Sequence, residues 1–135
     1  MTHDETLKLV DDLYASTGVG DFDTAETLLT DDLVIVEADG LPMEGTYTGR
    51  TALRELYTKV MGMMEVAGLE RVQTTTGGDY AVTILHFKFA DPSLEPAHLC
   101  ELFRFRDGKV CEIKPYYFDQ ATIHAACAAF KAKAG

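Results

Sequence analysis

ELFRFRDGKVCEIKPYYFD, residues 101–119, contains two alternating runs of apolar and polar residues joined at Asp107-Gly108. Aspartate and glycine both tolerate the positive φ that a type I′ turn needs, so the stretch predicts a tight β-hairpin. Residues two apart on a strand share a side. Arg104 and Arg106 belong with solvent, which turns Leu99, Glu101, Phe103 and Phe105 inward. On the returning strand, KVCEIKPYYF, Glu112 and Lys114 face out, and Cys111, Ile113, Pro115 and Tyr117 face in. The hairpin therefore predicts a concave apolar face that carries one carboxyl, Glu101, and one phenol, Tyr117.

Further strands precede it. YAVTILHFKF, residues 80–89, is rich in β-branched and aromatic residues and follows a Gly77-Gly78-Asp79 turn after LERVQTTT. Its parity is open: Leu85, Phe87 and Phe89 make one face, Ile84 and His86 the other, and on the second alternative His86 joins the concave side. DPSLEP, with two prolines, separates this strand from AHLCELFRFR.

The first half is mainly helical. Leu7, Val10, Leu13 and Tyr14 repeat at helical spacing within Asp4 to Thr17. A short second helix follows a cap at Asp21 or Asp23 and carries Ala25, Leu28 and Leu29. LVIVEA is the first strand, with Glu37 on the side of Leu33 and Ile35. DGLPMEGTYTG, residues 39–49, predicts a long irregular connection. Leu53, Leu56, Tyr57, Val60, Met61 and Met64 place a longer helix over Arg50 to about Ala67. After Asp119 as a cap, Ile123, Cys127 and Phe130 share a face of a last helix. Helices gathered at one end and antiparallel strands at the other indicate a single α+β domain over residues 1–135, with the sheet curling around the helices.

Composition narrows the function. The 135 residues are 47% apolar and 25% charged, as in ordinary globular proteins. Twenty-two acidic against twelve basic residues give a formal charge of −10, which repels nucleic acid and anionic lipid. No apolar run is long enough to span a bilayer, and the acidic start MTHDETLKLVDD resembles no targeting peptide, so a cytoplasmic location is expected. Cys100, Cys111 and Cys127 are odd in number and without CxxC spacing, as reduced core thiols are. The four histidines show no ligand spacing, and the expectation is no metal and no cofactor.

With these residues in view, the chain resembles the nuclear transport factor 2-like superfamily, and within it the SnoaL-like and ketosteroid isomerase-like proteins. The likeness is carried by GDFDTAETLLTDDLVIVEADG, YTGRTALRELY and the opening hairpin, and it spans nearly the whole chain. It implies a cone-shaped, curved and mostly antiparallel sheet wrapped around helices, a cystatin-like α+β barrel with a pocket inside. It also implies a homodimer through the outer sheet face, here His98, Cys100 and Leu102.

Residue by residue, the family's catalytic aspartate stands five positions after the second aspartate of the DD pair, which here is Glu37. A second acid stands two positions before Phe-Arg-Phe, which is Glu101, and the tyrosine of the third helix corresponds to Tyr57. The helix-one tyrosine lies seven residues before the glycine of GD, whereas Tyr14 lies six before Gly20, an offset of about 100° of helix rotation. By that count Leu13 takes the phenol's place, and Tyr57 or Tyr117 supplies the donor.

The resemblance implies Glu37 as base and Glu101 as a protonated donor, acting with Tyr57 on an apolar carbonyl compound such as a steroid-like or polyketide-like ketone. Tyr14, Phe103, Phe105, Ile113, Tyr117, Met61 and His86 would bind it. The plainer alternative is a non-catalytic binding module or accessory subunit in which both acids are solvated at the rim.

Overall fold

The computed structural model describes residues 1–134. Helix α1, His3–Gly18, starts in a capping box: Thr2 accepts from the Glu5 amide while Glu5 reaches back to the Thr2 amide, which satisfies two otherwise unpaired donors. Helix α2, Phe22–Glu26, is capped by Asp21 and not Asp23. Strand β1 spans Leu29–Glu37, and the short β2 spans Gly45–Thr48. Helix α3 is Ala52–Met61; strands β3, Val66–Gly77, β4, Tyr80–Phe89, β5, Ala97–Arg106, and β6, Lys109–Tyr117, follow, and α4, Ala121–Ala134, ends the fold.

One six-stranded sheet runs in the order β2-β1-β6-β5-β4-β3. Strands β3 to β6 form the antiparallel meander expected from the sequence, and β1 docks parallel to β6. The sheet is curved and unclosed, with bulges in β3, in the β5–β6 ladder and between β1 and β6, each a place where an extra residue bends the ladder. The Asp107-Gly108 turn has φ of 54° and 74°, the paired positive values of a type I′ turn.

Inward parity follows the alternation. Leu33, Ile35, Leu85, Leu99, Phe103 and Ile113 are all nearly inaccessible, and most of them join α1 and α3 in one core. On β4 the open parity resolves in favour of Leu85, Phe87 and Phe89. Ile84 is exposed, and His86 lies on the outer face.

Four expectations need correction. The 39–49 segment is not wholly irregular: β2 pairs with β1 from Val34↔Thr48 to Glu37↔Gly45, and Leu41 and Met43 plug the core beside it. Helix α3 ends at Met61 with Gly62 as its C-cap, six residues short of the expected end near Ala67. Val66 and Ala67 belong to β3, while Met64 remains buried outside the helix because its apolar spacing served the core and not a helical face. The bulge at the start of β6 sets Val110, and not the Cys111 expected on the inward face, opposite Phe105 and in the core cluster. Finally, β1 begins at Leu29, which the pattern assigns to the second helix.

The turn gives a clean test of backbone strain. Gly108 has open space around a would-be Cβ but a left-handed φ, whereas Gly68 in β3 has open space and no such φ. Gly108→Ala should cost about 1–2 kcal/mol in urea unfolding, and Gly68→Ala should cost nothing comparable.

Candidate functional site

The register of the sheet builds the site. Glu101 stands opposite Thr83 on β4 and opposite Pro115 on β6. Continuing the parallel Ile35↔Ile113 register by two residues sets Glu37 level with Pro115. Glu37, Pro115, Glu101 and Thr83 thus form one row across the concave face. The two acids are two strands apart, about 10 Å between their Cα atoms, and both line the same cavity.

Above this row lies a cavity of about 120 Å³. Strands contribute Ile35, Leu85, Phe87, Leu99, Phe103 and Ile113 to its wall; α1 adds Leu13, Tyr14 and Thr17, and α3 adds Leu53, Leu56, Tyr57, Val60 and Met61. Glu37, Glu101, Tyr14, Tyr57 and Tyr117 supply most of its polarity, and no lysine, arginine or histidine lines it.

The two carboxyls differ in their surroundings. Glu37 is 4% exposed, and its Oε1 has no hydrogen-bond partner. Burial, reinforced by the charge of Glu101, pushes its pKa up to about 8. Glu101 accepts a short hydrogen bond from the Tyr14 hydroxyl. Its pKa is also raised, because desolvation outweighs the stabilisation of its charged form by Tyr14. Two buried acids without a counter-cation do not ionise together, so the pair retains a proton at neutral pH.

The phenols stay neutral. Desolvation, followed by the nearby charge of Glu101, raises Tyr57 to about 12. Desolvation likewise raises Tyr14 and Tyr117, with Glu101 second for Tyr14 and Glu37 second for Tyr117.

Neighbouring contacts hold these side chains. The Tyr14 ring meets Phe103 edge-on at 5.8 Å, and the Arg71 guanidinium lies 4.9 Å from its centre while pairing with Asp11 at 2.7 Å. Phe22 of α2 packs edge-on against Tyr57 at 5.2 Å, and Arg54 ties α3 to α2 through Asp23 and Glu26. The turn after Glu37 is anchored by α4: His124 Nε2 lies 2.7 Å from the Gly40 carbonyl, and Gln120 donates to the Asp39 carbonyl.

The structure therefore brings together Glu37, Glu101, Tyr57, Tyr14, Phe103, Ile113, Tyr117 and Met61, the last at the mouth with 64% exposure. Two expected residues lie elsewhere. Phe105 shares the inward face, but it is two side-chain rows beyond Glu101, at the closed end, where it packs in the core opposite Val110. His86 sits on the convex face, 2.9 Å from Glu70 and with its ring 4.4 Å from that of His98 at a tilt of 36°, because Leu85 takes the inward parity. The helix-one count is also corrected. Tyr14 does reach Glu101, and Leu13 lines the wall beside it. Met43, from the segment expected to be irregular, was not anticipated as a wall residue. Both acids face the cavity, not a solvated rim.

The sequence matches the family of the SnoaL-like domain over residues 10–113. The chain belongs to this family. Its fold is shared by an NTF2-like protein from Burkholderia xenovorans LB400, 22% identical, covering 94% of this chain and 98% of that one with a TM-score of 0.79. Bal32a, from a soil-derived mobile gene cassette, is 16% identical over 93% of this chain and 98% of its own, with a TM-score of 0.81. TerC, co-crystallised with polyporic acid, is 16% identical over 92% and 98%, with a TM-score of 0.77. No curated protein matches the sequence. At such identities the likeness of the SnoaL-like chain to these structures is one of fold. Among the described residues no helix is long and apolar enough to cross a membrane, no cluster of three or more His, Cys, Asp or Glu is placed to hold a metal ion, and the three cysteines are free thiols.

The elevated pKa of Glu37 makes a stability prediction. Between about pH 4.5, the ordinary value, and about pH 8, the folded chain keeps a proton that the unfolded chain has lost. Stability therefore falls as pH rises through this window. Glu37→Gln should remove that fall and stabilise the fold at pH 8–9 by several kcal/mol, on the order of 4. At pH 4, thermal unfolding of the two proteins should nearly coincide.

Proposed function

We propose that this SnoaL-like protein is a cofactor-independent enzyme of acid–base proton transfer on an uncharged carbonyl compound, an isomerase in the manner of the ketosteroid isomerases. The observation that carries this reading is the contrast between the two acids of one row: Glu37 has a bare, buried oxygen, and Glu101 is engaged by Tyr14.

Glu37, ionised, takes a proton from the carbon between a carbonyl and a β,γ double bond. The electron pair moves onto the carbonyl oxygen as a dienolate. Glu101, kept protonated, donates a hydrogen bond to that oxygen with Tyr14 behind it, and Tyr57 is near enough to serve as a second donor. Glu37 then returns its proton to the γ-carbon, which leaves the conjugated ketone and the original carboxylate. A base with a pKa near the working pH combines adequate ionisation with adequate basicity. The glutamate carries one methylene more than the family's aspartate, and its Oε1 is left without a protein partner.

We also infer that two copies pair through the convex face of β4–β6. Ile84, Cys100 and Tyr116 form a cross-strand row there, beside Val82 and Leu102 and rimmed by His86, His98 and Lys114. Ile84 and Tyr116 are 41% and 53% exposed, an apolar strip without a partner in the single chain. Three free thiols are in keeping with a reducing cytoplasm.

The decisive assay offers the protein a β,γ-unsaturated ketone and follows the conjugated enone by absorbance. Turnover should rise with pH through about 8 as Glu37 ionises, and Glu37→Gln should abolish it. Tyr14→Phe should lower it about 10²-fold. Equal turnover in Glu37→Gln would exclude the proton-transfer role, and ligand binding without any turnover would leave a binding module. Sedimentation should show a dimer that Leu102→Glu dissociates.

A further inference from the structure

On the convex face, away from the cavity, two imidazoles meet across neighbouring strands. His86 of β4 stands directly opposite His98 of β5, in a ladder that no bulge interrupts. Beyond its end the Phe105 amide donates to the Asp79 carbonyl, which makes those two residues a hydrogen-bonded pair. Pairs alternate along an antiparallel ladder, so Tyr80, Val82, Ile84 and His86 fall in the non-hydrogen-bonded class, where facing side chains come closest. The His98 carbonyl agrees with this, since it accepts from the Phe118 amide on the other side. The two ring centres are 4.4 Å apart at a tilt of 36°.

The neighbouring strand prepares one of the rings. Glu70 of β3 stands opposite His86; its Oε1 lies 2.9 Å from His86 Nδ1, and its Oε2 accepts from Lys88 at 3.1 Å. The hydrogen bond from Lys88, followed by that from His86, holds the Glu70 carboxyl below its ordinary range. An ionised carboxylate can only accept, so Nδ1 of His86 carries the proton and Nε2 keeps its lone pair. A carboxylate behind an imidazole is the arrangement that orients a histidine for a metal. His3 and His124 lie elsewhere, against Thr76 and the Gly40 carbonyl.

A tetrahedral zinc ion bonds imidazole nitrogen at about 2.0–2.1 Å, which sets two ring centres about 5 Å apart. The observed pair needs only a small opening, and both side chains have room for it: His98 is exposed and the His86 side chain is partly so. Glu70 has both oxygens engaged, so the chain supplies two ligands and not three. We propose that His86 and His98 form a surface site for one late first-row divalent ion, bound through both imidazoles, with water completing its shell and Glu70 orienting His86. Imidazole favours ions such as Zn²⁺ and Ni²⁺ over Mg²⁺ and Ca²⁺, and the formal charge of −10 favours any cation. The site is at the rim of the strip through which two copies are inferred to pair, where water reaches it. It uses neither Glu37 nor Glu101, so it stands or falls apart from the catalytic reading.

Titration calorimetry on the full chain near neutral pH, with zinc chloride as the probe, should give one ion per chain, and magnesium chloride over the same range should give no saturation. His86→Gln and His98→Gln should each weaken zinc binding at least tenfold, and Glu70→Gln by about tenfold or more. Cys100→Ser and His3→Gln should leave it unchanged. In nitrogen NMR spectra zinc should shift Nε2 of His86 as the bonded atom, with Nδ1 still protonated. Zinc binding that survives in both histidine variants overturns the proposal, as does absence of binding at millimolar zinc. Loss of binding in Cys100→Ser but not in His98→Gln would place the ion on the thiol and overturn it equally.

Discussion

The register of the β5–β6 hairpin is the constraint on which the site depends. Side chains on a strand have a period of two, so a slip of one residue would exchange every inward group for an outward one. Glu101, Phe103, Ile113 and Tyr117 would leave the cavity, and Arg104 and Lys114 would enter it. The two-residue turn at Asp107-Gly108 fixes the pairing near one end, with φ values that few other residue pairs adopt. The bulge beside it is absorbed at Val110 and Cys111, before the ladder reaches Ile113. Strand β1 then adds in parallel to β6, and it is this pairing that brings Glu37 level with Pro115 and hence with Glu101.

That placement opposes stability. A buried carboxyl without a hydrogen-bond partner is among the costlier features a core can contain, and the fold contains it beside a second acid. The cost is limited by retaining a proton, and the surroundings make retention easy because no basic side chain lines the cavity. What stabilises the row is apolar: Phe103, Ile35, Leu85 and Ile113 are almost fully inaccessible around it. The charged groups of the chain pair at the surface instead, as Arg54 does with Asp23 and Glu26, where each pair contributes little.

How much of this was legible in the sequence depended on whether a local pattern or a distant contact decided each feature. The hairpin, its faces and the helix α1 surface were legible because alternation and helical spacing are local. Strand β2 was not, since GTYT is four residues long and is a strand only by pairing with β1. The end of α3 is not legible because Met64 and Val66 continue the apolar pattern while the chain turns at Gly62 to enter β3. His86 was ambiguous because both parities of β4 are apolar; Glu70 and His98 on the outer face resolve it. Phe105 shows the limit of parity, which gives the face of a residue but not its depth along the strand. Tyr14 shows the limit of counting, since the distance to Gly20 in sequence does not decide which helix residues line the cavity, and Leu13, Tyr14 and Thr17 all do.

The distinction between the two acids is itself a consequence of topology. Glu37 ends β1, where the chain leaves the sheet through Asp39 and Gly40, so no strand residue beyond it and no helix side chain donates to Oε1. Glu101 lies in mid-sheet, between β4 and β6, beneath the last turns of α1, where Tyr14 descends onto it. A group at a strand end can move its proton without breaking a hydrogen bond of the fold. A group in mid-sheet, tied to a phenol that is itself held by Phe103 and Arg71, is fixed in direction and suited to present a hydrogen bond. The roles proposed for the two acids, mobile proton carrier and fixed donor, therefore match where each sits in the strand order, and the match would survive exchange of either glutamate for a shorter acid only if the cavity contracted with it.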